Sequence, residues 1–225
     1  MTAAIIVAAG RGERMGSNYD KAFLSIGPRP MVAYSLMAFE ACPDIQQIVL
    51  VVRRERVDAA KNMALMFGIS KLREIVVGGA HRQDSVRNGL QAIASEIRTV
   101  AIHDAARPLV TPALISETIR SAEKFGSGVA ACRIVDTVKQ VDKGTVVGKT
   151  LDRAKLWTVQ TPQTFRVELI RQAYAKLAET KAVVTDDAAA LELIGEPVRL
   201  VEWGPLNLKV TVAEDLTTAA TLLRI

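Results

Sequence analysis

Short apolar runs alternate along this chain with longer segments of helical period. Ala3–Ala9 (AAIIVAA) is uninterrupted and stops at Gly10, which predicts a strand buried on both faces. Gln47–Val52 (QIVLVV), Arg73–Val77 (REIVV) and Thr99–His103 (TVAIH) repeat the pattern. Between them, Met31–Ala41 and a stretch from Arg56 to Phe67 carry apolar residues at helical spacing, and Asp84 or Ser85 offers a cap for a helix ending near Ser95. Thr111-Pro112 sets a capping side chain ahead of proline at the first position of the next helix. Strands and helices alternating in this way predict an α/β fold, a mostly parallel wound sheet with helices on both faces.

The rhythm changes after Gly128–Cys132, which reads as another strand. Val135–Val141 and Thr145–Lys149 flank Asp142-Lys143-Gly144, a hairpin turn with glycine near the left-handed position. This predicts a β-arm spanning residues 135–152 and projecting from a single domain of residues 1–225. A strand near Trp157–Gln160 follows, then helices near Val167–Ala178 and Thr185–Ile194, a strand at Val198–Val201, and Asn207–Val210 leading into a terminal helix. Asp186-Asp187 reads as the cap of the Ala-rich helix.

Composition narrows the function classes. The chain has 225 residues, 49% of them apolar and 24% charged, enough for a full core. Two cysteines, Cys42 and Cys132, make neither a disulfide framework nor a metal-ligand spacing, so no protein-borne metal site is expected. The first residues lack a basic segment before their apolar run, and no stretch is long enough to cross a bilayer; a cytoplasmic protein without membrane contact is expected. The net charge is +5. Arg53-Arg54-Glu55-Arg56, the nearest thing to a basic run, contains an acid, and aromatic residues make up only 4%. Such a chain suits small anionic ligands better than nucleic acid.

Those anions have an obvious landing place. AAGRGERMG stands directly after the first strand, where open α/β sheets bind their ligands. Gly10 and Gly12 let backbone N–H groups approach phosphate oxygens, while Arg11, Arg14 and Lys21 bring positive charge. No Gly-Lys-Ser/Thr follows, so this is not a Walker A loop. After Gly10-x-Gly12 the next glycine is Gly16, one residue late for the dinucleotide fingerprint. Phosphate binding is the chemical reading, a plain surface turn the bland one.

Ala8-Ala9-Gly10-Arg11-Gly12-Glu13-Arg14-Met15 with Lys21-Ala22-Phe23-Leu24 resembles the loop of sugar nucleotidyltransferases, and most closely the 2-C-methyl-D-erythritol 4-phosphate cytidylyltransferase family. The resemblance continues through Gly78-Gly79-x-x-Arg82-x-x-Ser85-Val86, His103-Asp104-Ala105-Ala106-Arg107-Pro108, Asp136-Thr137, Thr161-Pro162-Gln163, Thr185-Asp186-Asp187-Ala188 and Asn207-Leu208-Lys209-Val210-Thr211. These blocks follow the family's order over nearly the whole chain. Two positions depart from many relatives: Asp20 stands where proline is expected, and Ala80 where some carry a polar side chain.

The resemblance implies a Rossmann-like fold of the nucleotide-diphospho-sugar transferase type and transfer of CMP from CTP to methylerythritol phosphate, an isoprenoid-precursor step. Mg²⁺ would come largely with the triphosphate. Arg14 and Lys21 match the family's transition-state stabilisers. Ala8, Ala9, Gly10, Arg11, Gly12, Gly79, Ser85 and Asp104 match nucleotide-binding positions, with Ser85 either bonded to cytosine or serving only as a helix cap. Ala105, Arg107, Thr137, Arg153 and Lys209 match acceptor-binding positions, and Arg153 and Lys209 also count as catalytic by holding the acceptor phosphate in line. In the family the arm crosses to a second subunit, which implies a homodimer with shared sites. Asp104 faces ribose, metal or acceptor, or merely forms a turn. His103 reads as a packed strand-end residue rather than a base.

Other readings remain at this point. A ribitol-phosphate acceptor would keep the same loop. An NADP-dependent oxidoreductase would use Arg53-Arg54 on a 2′-phosphate. A nucleic-acid module would show strongly salt-dependent binding.

Overall fold

The structure is a computed structural model that describes residues 1–10, 20–204 and 206–225. Strand β1 (Thr2–Val7) leads through two-residue strands β2 (Ser25–Ile26) and β3 (Arg29–Pro30) into helix α1 (Met31–Ala41). Next come β4 (Gln47–Val52), α2 (Val57–Met66), β5 (Leu72–Val77), α3 (Arg82–Ala92), β6 (Thr99–Asp104), α4 (Pro112–Phe125) and β7 (Ser127–Arg133). The arm is β8 (Lys139–Lys143) and β9 (Val146–Thr150). The chain closes with β10 (Trp157–Arg166), α5 (Val167–Thr180), α6 (Asp187–Glu192), β11 (Leu200–Glu202) and α7 (Glu214–Leu223). No described helix is long and apolar enough to cross a membrane.

Seven strands form one sheet in the order β11-β7-β10-β6-β1-β4-β5. β1 runs parallel to β4 and β6, β4 parallel to β5, and β11 parallel to β7. β10 alone is antiparallel, inserted between β6 and β7. The period of two in each central strand divides the core. Ala4, Ile6, Ile48 and Leu50 meet α1, α2 and α4 on one face, whereas Ala3, Ile5, Val49 and Val51 meet α3, α5 and α6 on the other. Every residue of β4 and β6 is buried, which is why these strands read as unbroken apolar runs rather than alternating ones.

Several expected boundaries move. α3 starts at Arg82, and its N-cap is His81 rather than Asp84 or Ser85. Asp84 is instead the third helical residue of a capping box, its carboxylate accepting from the His81 N–H at 3.1 Å. The Trp157–Gln160 strand extends to Arg166, with a register shift between Val159 and Gln163 that takes up Pro162 where the ladder is interrupted. The arm's strands start at Lys139 and Val146, and Gly144 has φ +62°, so the turn sits at Gly144-Thr145. α6 is shorter than Thr185–Ile194, and Asp186 caps it by accepting from the Ala189 N–H.

α4 lies on the sheet through one glycine. A Cβ at Gly128 would stand 2.2 Å from the Thr118 carbonyl oxygen, a backbone atom that cannot step aside. Gly128→Ala is therefore expected to lower unfolding free energy by about 1–3 kcal/mol, the range for overpacking a tight core. A urea titration reads it directly, and an unchanged midpoint would contradict the contact.

Candidate active site

The carboxyl ends of β1, β4, β5 and β6 all point to one edge of the sheet, and a cleft of about 810 Å³ opens there. Its walls come from what each strand runs into: Ala8, Ala9 and Gly10 after β1, Arg53 and Arg54 after β4, Gly78 and Gly79 after β5, and Asp104 at the end of β6. Ser85 and Arg82 from the start of α3 line it as well, with Lys21 and Lys209. Gly78 has to be glycine for this convergence: its Cβ would lie 2.4 Å from the Ala9 Cβ and 2.8 Å from the Ser85 hydroxyl. The Ser85 hydroxyl in turn accepts from the Gly79 N–H at 3.1 Å and donates to the His81 carbonyl at 3.3 Å. Ser85 thus braces the Gly78-Gly79 turn one residue beyond the first helical turn.

Lys209 reaches the cleft because its neighbours are anchored. Val210 is fully buried against Ile26, Met31 and Tyr34, and its N–H donates to the Ala106 carbonyl at 2.8 Å. Asn207 donates to the Gln160 side chain and the Thr161 carbonyl.

A row of charges runs inward from that wall. Lys209 Nζ lies 2.7 Å from Asp104 Oδ2, and Arg82 Nε lies 2.9 Å from Asp104 Oδ1. Arg82 continues through Nη2 to Asp187 Oδ2 at 2.8 Å, and the Tyr174 hydroxyl donates to Asp187 Oδ1 at 2.6 Å. Burial alone would raise the Asp104 carboxyl, but Arg82 and Lys209 outweigh it and hold the group far below the usual carboxylate range. Burial would lower Arg82, yet Asp187 and Asp104 leave it well above its ordinary value. Burial and the adjoining Asp187 push the Tyr174 phenol up. The Asp104 side chain therefore forms ion pairs rather than a turn; the turn that follows is closed by backbone, from the Arg107 N–H to the Asp104 carbonyl.

His103 lies beneath this row. Its Nε2 is 3.3 Å from the Arg107 carbonyl, an acceptor, so Nε2 carries the proton. Thr161 accepts from the Asp104 N–H and is left to donate to His103 Nδ1 at 3.0 Å. The ring packs against Phe39, centroids 5.2 Å apart. Full burial pushes the imidazole pKa down to about 3, with Asp104 opposing only in part. A neutral, doubly bonded ring has no proton chemistry to offer near pH 7. Its stability signature has a definite sign. Between pH 6.5 and about 3 the unfolded chain protonates His103 and the folded one does not, so stability falls as pH falls. The group should remove about 1.6 kcal/mol between pH 6.5 and 5, and His103→Asn should flatten that part of the profile. Urea midpoints at the two pH values test this; equal slopes would contradict it.

Of the residues read from the sequence, Ala8, Ala9, Gly10, Lys21, Gly79, Ser85, Asp104 and Lys209 meet at the cleft. Arg11, Gly12 and Arg14 lie outside the described residues. Ala105 is 1% exposed and packs in the core, and Ala106 takes its place on the wall. Arg107 also stays off the wall, donating from Nη1 to the Asn207 carbonyl at 2.7 Å. Thr137 and Arg153 stand at the root of the arm, exposed and not among the residues lining this chain's own cleft, and the Arg153 guanidinium donates to the Val135 carbonyl. Arg53, considered for a 2′-phosphate, is paired with Asp20 and with Glu55 at 3.2 Å. Arg82 and Tyr174 carry no local signal of a role in the sequence, and Asp187 only that of a cap. Among the described residues no group of three His, Cys, Asp or Glu side chains could hold a metal, and both Asp104 oxygens already face cations.

A wound sheet with a cationic, glycine-lined cleft at its carboxyl edge is the architecture of Rossmann-like nucleotidyltransferases. The chain superposes with a TM-score of 0.87 and 30% identity on the crystal structure of 4-diphosphocytidyl-2C-methyl-D-erythritol synthase from Anaerococcus prevotii, covering 100% of this chain and 98% of that one. It is 40% identical over 224 residues to the 2-C-methyl-D-erythritol 4-phosphate cytidylyltransferase of Alkaliphilus oremlandii (99% and 95% of the two chains). It is 42% identical over 223 residues to that of Desulforamulus reducens (98% and 95%). The profile of the 2-C-methyl-D-erythritol 4-phosphate cytidylyltransferase family matches residues 2–225, and the chain belongs to that family.

Proposed function

We propose that the chain transfers CMP from CTP to 2-C-methyl-D-erythritol 4-phosphate, giving 4-CDP-2-C-methyl-D-erythritol and pyrophosphate. The observation that carries the reading is the cleft itself, where two lysines and the glycine turns of β1 and β5 converge at the sheet edge. An oxygen of the acceptor phosphate attacks the α-phosphorus of CTP, a P–O bond forms, and the bond to the pyrophosphate leaving group breaks. The attacking oxygen is already ionised at neutral pH and needs no base, which agrees with a buried neutral His103. The main task is to hold two anions together and to neutralise charge growing on the α-phosphate.

In this reading Lys21 and Arg14 stabilise that charge, and Gly10, Arg11 and Gly12 cradle the phosphates. Backbone of Ala8, Ala9 and Gly79 with Ser85 reads the pyrimidine. Asp104 fixes Lys209, which with Arg107, Thr137 and Arg153 handles the acceptor; Ala105 contributes by setting the strand end. Because Thr137 and Arg153 do not line this chain's cleft, they serve the site of a second subunit, and the enzyme works as a cytoplasmic homodimer joined through the arm. Mg²⁺ arrives with the triphosphate as part of the substrate. The Asp104 environment does not suit a resident ion, since Arg82 and Lys209 occupy its oxygens.

Pyrophosphate release with CTP, Mg²⁺ and either methylerythritol phosphate or ribitol 5-phosphate tests the assignment. Preference for methylerythritol phosphate is expected. Preference for ribitol phosphate would replace the acceptor, and no release with either would overturn the reaction.

A further inference from the structure

We propose that Asp20, Arg53 and Arg56 form a clamp that positions Lys21 at the cleft, making Asp20 and Arg56 positioning residues for the transfer. Lys21 opens a single 3₁₀ turn, Lys21–Phe23, and Asp20 is its cap. The turn is closed by its own backbone: the Phe23 N–H donates to the Asp20 carbonyl at 2.8 Å and the Leu24 N–H to the Lys21 carbonyl at 3.2 Å. One turn held by two such bonds is not stiff by itself. The stiffness comes from outside it.

Asp20 is only 5% exposed, and its two carboxylate oxygens are taken separately, Oδ1 by Arg53 Nη2 and Oδ2 by Arg56 Nε. Arg56 does more than pair. Its Cζ lies 5.4 Å from the centre of the Phe23 ring, a cation–π contact on the far side of Lys21. One guanidinium therefore grips the residue before Lys21 and the second residue after it. Between them Ala22 is buried in the core that α1 and β4 share. The backbone of Lys21 is fixed from both sides and from beneath, while its side chain remains on the cleft wall.

The placement also has a chemical logic. A carboxylate beside a lysine in an anion-binding cleft is a poor choice unless its charge is spent elsewhere, because it would repel the ligand and attract the lysine. Here burial tends to raise the Asp20 carboxyl, but Arg53 and Arg56 prevail and hold it below the usual range, so it stays charged and paired near neutral pH. The two guanidiniums balance the Asp20 and Glu55 carboxylates, so the group adds no net negative charge beside Lys21. The ammonium of Lys21 thus meets an incoming polyphosphate on an immobile base, beside a carboxylate whose charge is taken up by its own partners. Small errors in placing a charge-stabilising group are expensive in rate, which gives the clamp a kinetic role.

This inference rests on the reading of Lys21 as a stabiliser of the transition state. Pyrophosphate release is to be followed for Asp20→Asn and Arg56→Met, each in the native chain and together with Lys21→Ala. Each single change is expected to lower kcat about 10- to 100-fold with KM for CTP moved less than about two-fold, the pattern of a displaced catalytic group. Neither should reduce kcat further once Lys21 is alanine, because residues acting through one group do not add. Arg56→Lys, which keeps the charge but not the fork or the stacking surface, should recover part of kcat. Should Asp20→Asn fail to fold, Arg56→Lys answers the same question through its effect with and without Lys21. Losses that multiply with Lys21→Ala, or a rise in KM alone, overturn the clamp. A Lys21→Ala variant with native kcat overturns the reading of Lys21 itself and the clamp with it.

Discussion

Arg82→Met is expected to destabilise the fold by about 3–5 kcal/mol, the range for removing one partner of a buried ion pair. Arg82 has two partners, Asp104 through Nε and Asp187 through Nη2, so its loss leaves two carboxylates without their shared cation. They would not suffer equally. Asp104 keeps Lys209, but Asp187 is 0% exposed and, among the described residues, its carboxylate is left with the Tyr174 hydroxyl. Most of the effect should therefore come from Asp187, and adding Asp187→Asn to Arg82→Met should restore part of the loss. Arg82→Lys should fall in between, because an ammonium cannot bridge two carboxylates as a guanidinium fork does. Chemical denaturation of the four proteins measures all of this. A methionine variant within about 0.5 kcal/mol of the native chain, the scale of an ordinary surface change, would show that the pairs hold nothing together.

The second large effect concerns rate. Lys21→Ala should lower kcat about 10²–10³-fold, as expected when a preorganised donor to developing charge is removed. Lys21 lines the cleft beside Gly10 and Ala9, where the triphosphate is proposed to lie. If it acts on the transition state, kcat and kcat/KM fall together; if it only holds ground-state CTP, KM rises and kcat stays. Steady-state kinetics at saturating acceptor separates the two, and the second pattern would move Lys21 from stabiliser to simple binder. Thermal midpoints should barely change, since a cleft-wall lysine contributes little to the core.

Much of the architecture could be read before folding. β1, β4 and β6 announce themselves because burial on both faces demands continuous apolar runs, while β5, at the sheet edge and only half-buried, shows through its short Ile75–Val77 run. β10 beyond Gln160 does not, because Thr161 and Gln163 are polar residues at fully buried positions. They are satisfied by partners far away in sequence: Thr161 by His103 and the Asp104 N–H, Gln163 by the N–H groups of Asp187 and Ala188. No local pattern reveals such a strand. The start of α3 is obscured for the opposite reason, an excess of local signal, since Asp84 and Ser85 are both good caps and the true cap is His81.

The cleft shows the same division. The glycine loop, the Gly78-Gly79 turn and the end of β6 were recognisable as blocks, each attached to a strand end. The charge row was not, because its members come from positions 82, 104, 187 and 209 and only the fold brings them together. In sequence Asp20 is a mere departure from a motif; its role depends on Arg53 and Arg56, which the fold brings onto its carboxylate.

The root of the arm has a consequence for how this enzyme can change over time. The chain leaves the sheet at Arg133 and returns at Trp157, and these two residues face each other in the ladder between β7 and β10. The Arg133 guanidinium lies 4.3 Å from the centre of the Trp157 ring, closing the neck of the excursion. Everything from residue 134 to residue 156 is thus an insertion with adjacent ends, whose lengthening or shortening adds little closure entropy and shifts no register in the sheet. The length of the arm can therefore change between generations without disturbing the sheet edge that carries the cleft.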